Sequence, residues 1–145
     1  MYALDSSICI DFMRGRLPGS YELLSQDDPR LYKIPAIVEG ELYLGAEKDS
    51  NPERKRRLVE KFLAPFEVVP FDSKCALTYA QIRAKLERQG KLIGPNDMLI
   101  AATAVANNLV LITNNVKEFK RVPGLSLESW HEVDMENPDA PKGLS

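Results

Sequence analysis

Short apolar runs that stop abruptly at polar, helix-starting residues alternate along this chain with longer helical segments, and that alternation admits few folds. Met1 to Leu4 end at Asp5-Ser6-Ser7, a combination that favours a strand end followed by a helix N-cap. Helical residues run from Ile8 to Met13, are broken by Gly15, Pro18 and Gly19, and resume briefly around Tyr21 to Leu24. A second apolar run, Leu31 to Ile34, feeds a helix that starts at Pro35 and carries Ile37, Val38, Leu42 and Leu44 to about Lys48. Asn51-Pro52-Glu53 opens a charged helix to Leu63 that directs Leu58, Phe62 and Leu63 toward a core, and Glu67 to Val69 form a third run. Asp72 or Ser73 caps a long helix with Cys75, Tyr79, Ile82 and Leu86 on one face, and Gly90 stops it. Gly94-Pro95-Asn96-Asp97 starts a helix that is apolar nearly all round from Met98 to Ala106, the mark of a central element. Val110 to Thr113 is the cleanest buried strand; a helical turn to Phe119 and a weak strand from Leu125 to Glu128 follow. The expected fold class is α/β, a small parallel sheet with helices on both faces.

A chain of 145 residues, 44% of them apolar, has room for one domain with a real core and not for a second full one. The expected domain spans residues 1–133, and 134–145, rich in proline and charge, form a fraying tail. No window approaches the roughly 20 unbroken apolar residues of a membrane-spanning helix, and no signal-peptide pattern opens the chain, so a soluble, cytoplasmic protein is expected. Cys9 and Cys75 read as small buried thiols, and His131 is the single histidine. Those counts exclude a histidine- or cysteine-rich metal centre and leave carboxylates as the main catalytic groups. A net charge of -2 argues against holding nucleic acid by bulk charge; any contact with a polyanion must be local.

Ligands of open parallel sheets gather beyond the carboxyl ends of the strands, where Asp5 and Thr113-Asn114-Asn115 fall. Asp97 lies in the first turn of its helix, which suits either a site acid or a plain helix-start acid stabilised by the macrodipole. Glu41 is the sharper anomaly, because a helical projection puts it within or beside the apolar stripe, whereas Glu39 is about 200° away and reads as a solvated acid. A lone buried carboxylate must be protonated, paired or bound to a cation. Three carboxylates brought together without arginine repel one another by several kcal/mol at low effective dielectric, so their convergence calls for a divalent cation. All-oxygen ligands select Mg²⁺ or Mn²⁺, whose bound water can ionise near neutral pH and attack a phosphodiester. The chain carries no phosphate-binding glycine loop, no dinucleotide fingerprint and no zinc-protease helix.

These residues resemble a known family, the PIN-domain ribonuclease toxins of the VapC type, over nearly the whole chain. The motifs are Leu4-Asp5-Ser6-Ser7-Ile8-Cys9-Ile10, Glu41-Leu42-Tyr43-Leu44-Gly45-Ala46, Gly94-Pro95-Asn96-Asp97 and Thr113-Asn114-Asn115-Val116-Lys117-Glu118-Phe119, with Arg121-Val122-Pro123-Gly124-Leu125 before Trp130. Each is weak alone; their order and spacing together are specific. The resemblance implies a PIN-like fold and a Mg²⁺-dependent endoribonuclease, with Asp5, Glu41 and Asp97 as the acidic triad and metal ligands and Ser6 and Asn115 in support. It also implies a homodimer, a cognate antitoxin that holds it inactive, and structured RNA, tRNA or rRNA, as substrate. Two departures stand out: Ser6-Ser7 replaces the family's threonine-asparagine, and Asn115 replaces a fourth acid found in many PIN domains, a loss that Glu118 is placed to offset in part.

Among basic residues, the run Glu53-Arg54-Lys55-Arg56-Arg57 reads as a solvated helix face in preference to a phosphate grip. Arg14, Arg16, Lys117 and Lys120 follow the acidic elements and are the better RNA-binding candidates. Two rival readings are a catalytically silent RNA- or antitoxin-binding protein on the same scaffold and a phospho-accepting receiver-like domain.

Overall fold

The computed structural model describes residues 1–15 and 27–130. Five strands, β1 (Tyr2–Leu4), β2 (Tyr32–Pro35), β3 (Glu67–Val69), β4 (Val110–Ile112) and β5 (Leu127–Glu128), form one sheet in the order β3-β2-β1-β4-β5. Every pairing is parallel, with Tyr2 opposite both Tyr32 and Val110. The helices flanking the sheet are α1 (Ser6–Met13), α2 (Ala36–Glu47), α3 (Pro52–Leu63), α4 (Ser73–Gln89), α5 (Pro95–Ala106) and α6 (Val116–Phe119). The expected α/β architecture is therefore present.

Local chemistry sets the element ends. Asp5, Asn51 and Asp72 cap α1, α3 and α4 by accepting from the backbone N–H of Ser6, Arg54 and Cys75. Gly90 ends α4 in the left-handed conformation, at φ 65°, that a side chain would resist. Pro35 closes β2 in place of opening α2, so strand passes directly into helix.

The core joins Leu4, Ile34, Leu111 and Ile112 of the sheet to Ile8, Val38, Leu86, Ile100 and Phe119 of the helices, all with no exposed surface. Helix α5 is central, burying Met98 and every residue from Ile100 to Ala104. Cys9 and Cys75 are buried free thiols.

Three expectations need correction. Leu31 belongs to a 3-10 turn, Pro29–Leu31, and not to β2. In α3 the inward residue is Val59, fully buried, while Leu58 is 43% exposed. In α2 the buried stripe is Val38, Leu42 and Ala46, spaced by four, and Leu44, about 200° around from Leu42, is 53% exposed. In both helices, which apolar residue turned inward depended on where the sheet lay. The turn expected at Tyr21 to Leu24, Arg16, His131 and the tail lie outside the described residues. Among the described residues no helix is long and apolar enough to cross a membrane.

Connections β1 to β2 and β2 to β3 step one way across the sheet, and the next crosses back to β4 on the far side of β1. That reversal places a crevice beyond the carboxyl ends of β1 and β4, the switch point where ligands of open sheets bind. A receiver-like domain has its strands in the order β2-β1-β3-β4-β5, which this sheet does not follow.

Removing two methyls from a fully buried position costs about 2 kcal/mol. Val59→Ala is therefore expected to lower unfolding free energy by about that amount, and Leu58→Ala by less than about 0.5 kcal/mol, in urea denaturation monitored by circular dichroism.

Candidate active site

Asp5 leaves the end of β1 and is only 4% exposed. Its backbone N–H donates to Ile112 O at 3.0 Å, extending the β1-β4 ladder to the switch point. Three donors hold the carboxylate: the Thr113 hydroxyl at 2.6 Å, the Ser6 backbone N–H at 2.8 Å and the Ser7 hydroxyl at 3.2 Å. Burial pushes the Asp5 carboxyl above its ordinary value, and these bonds oppose the rise. Ser6 thus serves Asp5 through its backbone, while the hydroxyl contacts come from Ser7 and Thr113.

The segment after β4 is tied down by the same groups. Asn115 N–H donates to the Thr113 hydroxyl at 2.9 Å, and the Asn114 amide donates to Asp11 Oδ2 at 2.7 Å, joining this loop to α1. The Asn115 side chain donates to Glu118 Oε2 at 3.4 Å.

Asp97 sits in the first turn of α5 and Glu41 midway along α2. The Asn96 amide reaches Glu41 Oε2 at 3.5 Å, and Glu41 Oε1 is buried with no hydrogen-bond partner. The Asp97 carboxyl is pushed up to about 6 by burial first, then by the charges of Asp5, Glu118 and Glu41, and by a hydrogen bond with Glu118. Cys9, one turn after Asp5, records the same field: burial and the Asp5 and Glu41 carboxylates raise its thiol, which stays protonated and inert.

Asp5, Glu41, Asp97 and Glu118 therefore face one region, drawn from four elements. Among the described residues no three such side chains stand at metal-ligand spacing. Among the described residues, none of the four joins an ion pair with lysine or arginine. An oxygen-only donor set with uncompensated charge and an orphaned buried Oε1 fits a hard divalent cation.

Of the expected basic residues, Arg14 is the exposed C-cap of α1, and Lys117 and Lys120 are exposed on and just after α6, beside Glu118. Asn96 and the Asn114–Asp11 link went unread in the sequence; the one available signal was a polar residue beside a site residue in each case.

An open parallel sheet with acids gathered at its switch point defines a class of α/β domains that bind ligands through oxygen donors. A model of the PIN domain matches residues 2–125. The chain is 40% identical over 134 residues to the ribonuclease VapC2 of Rickettsia felis, spanning 90% of this chain and 98% of that protein. It is 38% identical to the tRNA(fMet)-specific endonuclease VapC of Salmonella typhimurium, spanning 89% and 97%. The solved structure of DNA-bound VapBC from Salmonella typhimurium is similar at a TM-score of 0.84 and 38% identity, covering 89% of this chain and 97% of that one. The structure of VapBC2 from Rickettsia felis, bound to a promoter DNA fragment, is similar at 0.80 and 38%, covering 89% and 98%. This chain belongs to the PIN-domain family and, within it, to the VapC group. Such proteins are generally divalent-metal dependent.

Asp97 has its folded value raised from the ordinary 3.8 to about 6, so the folded state holds a proton that the unfolded chain releases between those pH values. Its contribution is full below about pH 4 and is lost as pH rises through about 6, about 1 kcal/mol after allowance for solvent screening. In chelator, Asp97→Asn is expected to be more stable than the wild type by that amount at pH 7.5 and to lose the advantage at pH 4. Urea titrations at the two pH values check it.

Proposed function

We propose that this protein is an endoribonuclease toxin of a toxin–antitoxin pair, hydrolysing phosphodiester bonds of structured RNA with a divalent cation, Mg²⁺ or in its place Mn²⁺. The observation that supports this reading most is the gathering of Asp5, Glu41, Asp97 and Glu118 at the switch point, none of them in an ion pair with lysine or arginine among the described residues. The relatives named as ribonucleases cover nearly the whole chain, and the similar solved structures are toxin–antitoxin complexes. By that likeness the partner is a cognate antitoxin and the substrate class is tRNA.

Asp5, Glu41 and Asp97 would hold the cation, with Glu118 beside them where Asn115 contributes no charge. When bound, the cation supplies water activation and neutralises charge that develops on the phosphoryl oxygens. The remaining chemistry belongs to the side chains. Thr113 and Ser7 fix the Asp5 carboxylate in one orientation by donating to the same oxygen, Oδ2. Asn96 holds Glu41 by Oε2, which leaves Oε1 free to take a ligand. Asp97 shares a hydrogen bond with Glu118, and its carboxyl, pushed up to about 6, holds a proton in mild acid and is ionised at neutral pH, the form that would bind a cation. Lys117 and Lys120, exposed on and just after the helix that carries Glu118, would receive phosphates.

Incubated with tRNA(fMet) or total tRNA, the purified protein is expected to cut RNA with added Mg²⁺ and to stop in chelator. Asp5→Asn and Asp97→Asn should fold and lose more than about a hundredfold in rate. Thr113→Val, which leaves every carboxylate in place, should raise the metal concentration needed by about 10–100-fold. Cleavage undiminished in chelator or in both aspartate variants overturns the reading.

A further inference from the structure

One crevice adjoins the acidic centre without belonging to it. It has a volume of about 110 Å³ and lies between α1, α2 and α3, with Glu41 in its wall. A single water takes about 30 Å³ and whole-ligand pockets run to about 300 Å³ or more, so this space suits one planar ring and not an entire small molecule. Ile10, Met13, Leu42 and Val59 make its apolar side, Arg14 and Lys55 supply two positive charges, and Asp49 adds a carboxylate whose Oδ1 accepts from the Asn51 N–H. Neither cation joins an ion pair among the described residues, whereas Arg56 and Arg57 of the same basic run are taken up by Glu47 and Glu53. Lys55 is half-buried where Arg54 and Arg57 are exposed. The run is therefore not uniform: one member turns into a crevice shared with a candidate metal ligand.

Gly45 keeps that space open. It lies inside helix α2, where glycine is less favourable than alanine, yet a Cβ there would meet nothing within 4 Å. Packing gives no reason for the missing side chain, and the residue lines the crevice.

We propose that this crevice is a nucleotide subsite of the same active centre, holding the residue next to the scissile bond with its phosphate on Arg14 and Lys55 and its base against Ile10, Met13 and Leu42. It rests on the ribonuclease reading above and deepens it, by assigning where the flanking RNA strand is gripped. Arg14 and Lys55, neither of them ion-paired among the described residues, suit a phosphodiester, the apolar side suits the face of a base, and Glu41 fixes the subsite beside the reacting centre.

The test has two arms. In the Asp97→Asn background, affinity for fluorescein-labelled tRNA(fMet) is measured over a range of salt; in the otherwise wild-type protein, kcat and KM for cleavage are measured. Arg14→Ala and Lys55→Ala should each raise Kd and KM about tenfold and leave kcat within about twofold. Each should also reduce the slope of log Kobs against log salt by about 0.7, the signature of one lost contact to a single strand. Arg54→Ala and Arg57→Ala should change none of these. Gly45→Leu should raise KM similarly by filling the space while the melting temperature is held or raised, which separates occlusion from misfolding. If wild-type protein cleaves tRNA but the crevice variants match the Arg54 control in KM and salt slope, the subsite is overturned and the ribonuclease reading stands. If they lose only binding to the cognate antitoxin, the crevice is a protein-docking surface and the subsite is likewise overturned. If wild-type protein cleaves no RNA in Mg²⁺, the parent reading fails and takes the subsite with it.

Discussion

A 2.6 Å hydrogen bond from the Thr113 hydroxyl to Asp5 Oδ2 joins the ends of β1 and β4, across 108 residues of chain, at the point where the sheet reverses direction. Asp5 is nearly inaccessible to water, and an ionised carboxylate in such a place is costly unless donors surround it. Thr113, Ser7 and the Ser6 N–H are those donors, and each comes from an element that begins or ends at the switch point. The parallel register between β1 and β4 delivers them: with Leu4 opposite Ile112, the next residue of each strand is Asp5 and Thr113. A shift of one residue would turn the pair to opposite faces. The site therefore depends on strand register before it depends on any loop.

Around that fixed carboxylate the rest of the centre is arranged against its own electrostatics. Asp5, Glu118 and Glu41 raise the cost of ionising Asp97, and none of the four joins an ion pair with lysine or arginine among the described residues. A fold selected only for stability would have replaced one of these acids with an amide. Asn115 is such an amide, and Glu118, one helical turn on, returns the charge to the same region. Stability forgone at a cluster of like charges is available as affinity for a divalent cation, because the folded chain binds the ion far better than the unfolded one. The proposed subsite follows the same logic. Gly45 weakens α2 where a larger residue would fit, and the space it leaves open adjoins Glu41.

Much of this was legible in the primary structure. The alternation of short apolar runs with helix-start signals defined an α/β sheet, and the run from Met98 to Ala106, apolar on every side, marked its central helix. Asp5, Glu41 and Asp97 stood out because each occupies a position where a charge needs a reason: a strand end, an apolar stripe and a helix first turn. The two failures in the helices share one cause. In α2 and α3 neighbouring apolar residues competed for the inward face, and helical period alone does not choose between Leu58 and Val59 or between Leu44 and Ala46. That choice belongs to the surface the helix packs on.

Sequence by itself determined the elements, their caps and the acids at their ends, since these follow from backbone preference and side-chain chemistry within a few residues. Only the tertiary structure decided which of those acids meet, that Ser7 in place of Ser6 gives Asp5 its hydroxyl, that Glu118 joins Asp97, and that Lys55 of the basic run lines the crevice beside Glu41. The physical reason is range. Propensity and capping act along the chain, whereas repulsion between carboxylates and the shape of a crevice act across space, between residues that only the strand order brings together.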